Sequence, residues 1–207
     1  MTGKERNMIY LASRSPRRLE LLRQLGVECR LLLDEDESRA EALEAVRAGE
    51  TPAAYVQRVA RVKAEAALAR LLAARLPPAP LLCADTTVAI GGTILGKPAD
   101  AGEAARMLRL LSGRTHRVLT AVVVAPAASS RLFAATQVSR LRFCRLSPAQ
   151  IDAYVDSAEP FGKAGGYAIQ GLAAGFVRRI EGSHSGIMGL PLYETARLLR
   201  KAGYPMR

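Results

Sequence analysis

Two arginines stand where a helix should repel them. The stretch from Ile9 to Gly26 reads as strand, polar turn and helix. Met8 to Ala12 suits a buried strand, Ser15 is the expected N-cap, Pro16 takes the first helical position, Leu19, Leu22 and Leu25 recur at helical spacing, and Gly26 supplies the stop. Arg17 and Arg18 then fall in the first turn, where each cation opposes the helix dipole by roughly 0.3 to 1 kcal/mol. An anion at that end reverses the sign. Free backbone N–H groups, two guanidinium forks and the hydroxyls of Ser13 and Ser15 together make a good phosphate site. The competing reading, two arginines pointing into water, stands on equal terms with it on composition alone.

Other groups with suitable chemistry are spread along the chain. Asp34, Glu35, Asp36 and Glu37 repel one another, so they form a solvated loop or, beside a phosphate site, one or two of them hold a divalent cation through oxygen. Lys63 follows Val56, Val59 and Ala60 at helical spacing and so lies on or beside the apolar stripe. Its ammonium either snorkels outward or is directed inward to a phosphate. From Leu81 an apolar strand reaches Asp85, Thr86 and Thr87, and Gly91-Gly92 turns it into a hairpin. In that register Thr86 lies opposite Lys97, so a carboxylate, a hydroxyl and an amine converge at one strand end; alternatively, Lys97 only neutralises Asp85 at a sheet edge. Gln170 ends an apolar run, where its amide can donate and accept at once to a nucleobase edge, or make a buried structural hydrogen bond.

The elements expected to position these groups alternate between strands and helices. Val27 to Leu33 reads as a second strand, and Thr51-Pro52 opens a long helix that runs to about Leu76 and is closed by Pro77-Pro78. Asp100 with Glu103 starts a helix through Leu111, Thr115 to Val124 is a β-branched central strand, and Arg140 and Arg142 alternate with Leu141 and Phe143 in another. Ser147-Pro148 with Gln150 begins a helix to about Ser157. Glu159 to Gly171 reads as a glycine-rich loop that enters a strand ending at Gln170, and Gly189 to Leu199 as a last helix. Gly91 to Lys97 has the spacing of a phosphate-binding loop, but Pro98 replaces the needed hydroxyl and no helix follows, so that motif is rejected.

Composition narrows the class without choosing a partner. At 207 residues and 49% hydrophobic content, the chain can bury a core as one domain, or as one domain with a second lobe. No apolar stretch has membrane-spanning length and no secretory leader is read, so the expected compartment is the cytoplasm. Cys29, Cys83 and Cys144 are isolated, and His116 and His184 lie far apart, which gives no support to a zinc site or a catalytic triad. A net charge of +11 favours anions of any kind, but with no Trp and 5% aromatic residues the stacking platforms of single-strand nucleic-acid binders are scarce.

Seven blocks then occur in order: LASRSPRRLELL, DES at Asp36 to Ser38, ADTTV, GKP, LSGRTHRVLTAV, KAGGYAIQG and GLPL. Together they make the chain resemble the Maf family over nearly its whole length. The resemblance implies a cytoplasmic nucleoside triphosphate pyrophosphatase with an inosine triphosphatase-like fold: mixed α/β, an elongated central sheet flanked by helices, and two lobes around a cleft. It also implies a divalent metal, Mg²⁺ or Mn²⁺, and a homodimer; with no membrane-length apolar stretch and few aromatic residues, neither a membrane nor nucleic acid is the expected partner. The block KAGGYAIQG looks like the group acting on dTTP and UTP, whereas the group preferring 7-methyl-GTP carries Ser-Glu near the position of Gln170. Carried over by motif, Asp85 is the catalytic carboxylate and Glu37 one of the further polar positions of the active site; as carboxylates beside a phosphate site, the two are expected to bind the divalent cation. Lys63 and Lys97 assist catalysis, and Ser13, Arg17, Arg18, Thr86 and Gln170 bind substrate. Arg17, Thr86 and Gln170 fall at base-selecting positions, and Arg18 faces phosphate. Thr87, Arg14 and Ala168 depart from the family's usual residues. The rival expectation is a non-catalytic nucleotide- or nucleic-acid-binding regulator of cell division, which leaves Glu37 and Asp85 in a phosphate cleft unexplained.

Overall fold

The computed structural model describes residues 8–34 and 42–206. β1 (Met8–Leu11) leads into α1 (Pro16–Gln24) and β2 (Glu28–Leu31), and the long α2 (Pro52–Ala73) precedes the hairpin β3 (Leu81–Ile90) and β4 (Thr93–Leu95). There follow α3 (Ala101–Leu111), β5 (Thr115–Ala125), β6 (Phe133–Phe143) and α4 (Pro148–Asp156). Two 3₁₀ turns (Ala164–Gly166 and Leu172–Phe176), β7 (Val177–Glu181), α5 (His184–Met188) and α6 (Leu192–Lys201) complete the described chain. The result is the expected mixed α/β architecture, a seven-stranded sheet in the order β2-β1-β3-β5-β6-β7 with β4 paired to β3. No helix among the described residues is long and apolar enough to cross a membrane.

Local chemistry explains most boundaries. Thr51 Oγ1 accepts from the Ala54 N–H at 3.2 Å and Pro52 takes the first helical position, while Ser147 and Gln150 form a reciprocal capping box. Asp100 Oδ1 caps α3 through the Glu103 N–H at 2.7 Å. The first helix departs from expectation. Ser15 is its N-cap by position, but its side chain caps nothing; Ser13 Oγ instead accepts from the Ser15 N–H at 3.2 Å.

β1 is parallel to β2 and β3, and the remaining pairs are antiparallel. This topology opens a gap beside β3. β5 covers one edge of β3 from Leu81 to Ala89. On the opposite edge β1 pairs only with Leu81 and Leu82, and β4 only with Val88 to Ile90. Among the described residues, Cys83 to Thr87 therefore have no strand neighbour on that side, and Asp85 lies in the middle of the gap. Alternation along β3 sends Cys83, Asp85 and Ala89 to the face covered by α2, and Ala84, Thr86 and Val88 to the other face. On that other face α1 and α6 pack at one end, and α3 and α4 at the other.

Two boundaries near the site differ from the sequence reading. Tyr167 to Gln170 is not a strand, because Gly165 and Gly166 have φ of 70° and 69°, and the segment runs between two 3₁₀ turns. The last helix begins at Leu192 and not at Gly189. Gly189, with φ of 115°, terminates the short α5, which the sequence reading did not anticipate.

Candidate active site

The gap beside β3 opens into a cleft of about 510 Å³, within the usual range for small-molecule sites. It is walled by the Ala12–Arg18 turn, by Asp85 to Val88, by Gly96 and Lys97, and by the Gly162–Gln170 loop. Ser13, Arg17, Arg18, Lys63, Asp85, Thr86, Lys97 and Gln170 all line it, so residues separated by more than 150 positions share one cavity. Glu37 lies outside the described residues.

Asp85 is 6% exposed. Lys63 Nζ donates to its Oδ1 at 2.7 Å and to Glu44 Oε1 at 2.7 Å, and Lys97 Nζ donates to Glu44 Oε2 at 2.9 Å. Lys63 thus points inward from the apolar stripe of α2, where Val59, Ala60, Ala64 and Ala67 pack against the sheet. Lys97 does not meet Asp85 directly as the extended register predicted. The β4 ladder stops at Leu95, and the next carbonyl, that of Gly96, accepts from the Gly165 N–H at 2.9 Å, so the chain turns toward the loop instead of continuing beside β3. Glu44 is the link between the two lysines.

The electrostatics follow from burial and pairing. Burial pushes the Asp85 carboxyl up from its ordinary value, and the charges of Lys63 and Arg18 pull it back only in part. Burial also works against the Lys63 ammonium, but Asp85 and Glu44 outweigh it and raise its pKa, so Lys63 stays charged. For Glu44 burial is again the largest effect, and the two lysines overcome it and hold the carboxyl below the usual range.

On the opposite face of β3, Arg18 organises the wall. Its Nε donates to the Gly189 carbonyl at 2.8 Å, Nη1 to Ser13 Oγ at 3.1 Å and Nη2 to Thr86 Oγ1 at 3.2 Å. Burial lowers its pKa, with Asp85 the main opposing charge. Arg17 does not share these bonds. It lies close enough to Lys163 for its charge to add to burial in lowering the Lys163 pKa. The two arginines therefore have separate surroundings: Arg18 ties the turn to β3, and Arg17 faces the loop that carries Gln170. Gln170 is exposed in a turn at the rim.

Three residues here were missed in the sequence. Glu44 sits in a charged stretch that reads as ordinary surface, Lys163 is one of many cations, and Thr120 looks like any β-branched strand residue. No local signal marks the first two. Thr120 becomes visible only through the β3–β5 register, which places it opposite Thr86.

The donor set fits a divalent cation carried by a phosphate. Asp85 Oδ1 is taken by Lys63, whereas no described residue donates to its Oδ2. One or two carboxylates completed by substrate phosphate oxygens is the usual arrangement for Mg²⁺. No group of three or more His, Cys, Asp or Glu capable of holding a metal by themselves occurs among the described residues.

The Maf-like protein family matches residues 8–202. The chain belongs to the Maf family. A dTTP/UTP pyrophosphatase of Cupriavidus pinatubonensis is 61% identical over 194 residues, covering 94% of this chain and 96% of that protein. One of Ralstonia nicotianae is 60% identical over 194 residues, with 94% and 93% covered. Among solved structures, a nucleoside-triphosphatase / dITP/XTP pyrophosphatase of Mycobacterium abscessus aligns over 67% of this chain and 75% of that one at 19% identity and a TM-score of 0.43, too loose a likeness to carry weight.

Proposed function

We propose that this Maf protein hydrolyses dTTP and UTP to the nucleoside monophosphate and pyrophosphate. The observation that carries the reading is the buried Asp85 carboxylate, fixed by Lys63 through one oxygen and met at the other by no donor among the described residues, within a cleft rich in cations. The names of relatives at about 60% identity over nearly the whole chain supply the substrate pair.

Water attacks the α-phosphorus, the bond from the α-phosphorus to the bridging oxygen breaks, and pyrophosphate leaves with that oxygen. Asp85 orients the water and takes its proton; a carboxyl raised by burial is closer to the basicity that role needs. Lys63 and Lys97 converge on a single carboxylate, Glu44, so their ammonium groups are spaced to grip one small anion, and a phosphate has the same requirement. Arg17 and Lys163 add positive charge at the rim. Asp85, through the oxygen to which no described residue donates, and Glu37 would hold a divalent cation. Bound there, Mg²⁺ or Mn²⁺ would neutralise phosphate charge and acidify the attacking water.

Asp85→Asn separates chemistry from binding. Turnover of dTTP should fall by about 10² to 10⁴, while the dissociation constant measured calorimetrically stays within a few-fold. Near wild-type turnover would refute the role of Asp85.

A further inference from the structure

The hydroxyl groups on the Arg18 side of the cleft have a fixed direction, which follows from counting hydrogens. Thr120, on β5 directly opposite Thr86, is 0% exposed. Its Oγ1 lies 2.7 Å from the Gly186 carbonyl, which can only accept, so the one hydrogen of Thr120 goes there. The 3.0 Å contact between the two threonine hydroxyls must then use the hydrogen of Thr86. Arg18 Nη2, which can only donate, occupies one lone pair of Thr86 Oγ1. Among the described residues, what remains to Thr86, which lines the cleft, is a single lone pair.

Ser13 has the opposite polarity. Both of its lone pairs are taken, one by the Ser15 N–H and one by Arg18 Nη1, and its hydrogen meets no acceptor among the described residues, so it can donate. The wall therefore offers an acceptor at Thr86 and a donor at Ser13, with Arg18 fixing both. A substrate group that meets Thr86 must itself carry a hydrogen.

We propose that Thr120 is a positioning residue that holds the Thr86 hydroxyl as an acceptor, and that this selects nucleobases with an imide N–H, thymine and uracil, over cytosine. The inference rests on the pyrophosphatase reading and on Thr86 meeting the base. Cytosine presents a bare N3 lone pair where uracil presents N3–H, and two facing lone pairs leave both groups unpaired. Polar sites reject a substrate of the wrong hydrogen-bonding pattern for this reason.

The test is the ratio of kcat/KM for UTP and CTP in the wild type, Thr120→Val and Thr120→Ser. A ratio from one preparation is independent of its folded fraction. Valine removes the obligatory partner and frees the Thr86 hydrogen to donate to cytosine N3, while the Gly186 carbonyl keeps its 3.1 Å bond from the Gly189 N–H. The preference for UTP should fall by at least about ten-fold, the scale expected of one hydrogen bond mispaired away from water, and serine should restore it. On the wild type, N3-methyl-UTP should be rejected about as strongly as CTP, and 3′-deoxy-UTP should be used within a few-fold of UTP. These two substrates decide the matter if Thr120→Val does not accumulate as folded protein. An unchanged UTP/CTP ratio in folded Thr120→Val would overturn the inference. So would rejection of 3′-deoxy-UTP with acceptance of N3-methyl-UTP, which would put the ribose hydroxyl at Thr86. Absence of pyrophosphate release from every nucleotide would instead remove the pyrophosphatase reading, and this inference with it.

Discussion

Replacing Lys63 with methionine keeps the length of the side chain and deletes the cation shared by Asp85 and Glu44. Asp85, 6% exposed, then loses the 2.7 Å bond to its Oδ1 and becomes a buried carboxylate without an ion-pair partner among the described residues. Breaking a fully buried pair from one side costs about 3 to 5 kcal/mol. The Lys63 side chain is 20% exposed, so solvent relieves part of this and roughly 2 to 4 kcal/mol is expected. For a chain of this size that lowers Tm by roughly 5 to 15 °C. The penalty also depends on pH. Burial already raises the Asp85 pKa above its unfolded value, and loss of Lys63 raises it further. The folded variant therefore takes up a proton at a pH where the unfolded chain remains ionised, and its deficit shrinks as pH falls. Urea denaturation of the wild type, Lys63→Met, Asp85→Asn and the double variant, at pH 8 and pH 5.5, reads the size and the coupling together. The double variant should recover part of the stability lost at pH 8. A loss below about 1 kcal/mol at pH 8, or equal losses at both pH values, would refute the reasoning.

Two further outcomes are expected. Burial depresses the His116 pKa from 6.5 to about 4, and its Nδ1 has no hydrogen-bond partner among the described residues. Between those values the unfolded chain binds the proton and the folded one does not, so stability should fall by about 3 kcal/mol as pH drops from 6.5 to 4. His116→Phe should flatten that part of the urea-derived stability profile, and an unchanged slope would contradict it. Gly165 has φ of 70°, and a Cβ there would lie 2.8 Å from Val88 Cβ. Gly165→Ala should cost about 2 to 5 kcal/mol from backbone strain and overpacking. It should also raise KM for dTTP by shifting the loop that carries Gln170; wild-type Tm and KM would argue against that tight approach.

The parts of the fold written in local chemistry could be read before the structure. Thr51, Asp100 and Ser147 announce helix starts, the Gly91-Gly92 hairpin pairs as its two-residue loop requires, and the β-branched run from Thr115 occupies the middle of the sheet. Helical periodicity placed Lys63 on or beside the apolar stripe, but it left outward snorkelling and inward direction both open; the contacts with Asp85 and Glu44 decide for the inward one. Features that depend on distant partners were not readable. Tyr167 to Gln170 resembles a strand in composition, but left-handed glycines at 165 and 166 turn the backbone into a wall of the cleft. β7, Val177–Glu181, is charged and mostly exposed and carries little hydrophobic pattern, because among the described residues it pairs only with β6, at the sheet edge. Glu44 was missed because nothing near it in sequence indicates that it bridges lysines 19 and 53 positions away. The separation of Arg17 from Arg18 was expected, but the reason is new: Arg18 is a brace between the first turn, β3 and the Gly189 carbonyl.

The central claim is hydrolysis between the α and β phosphates, and the products identify it directly. Purified protein incubated with dTTP, with and without Mg²⁺, should release dTMP and pyrophosphate in equal amounts, resolved by anion-exchange chromatography, and only when the metal is supplied. Release of dTDP with orthophosphate, or no product from dTTP and UTP under either condition, would contradict the account.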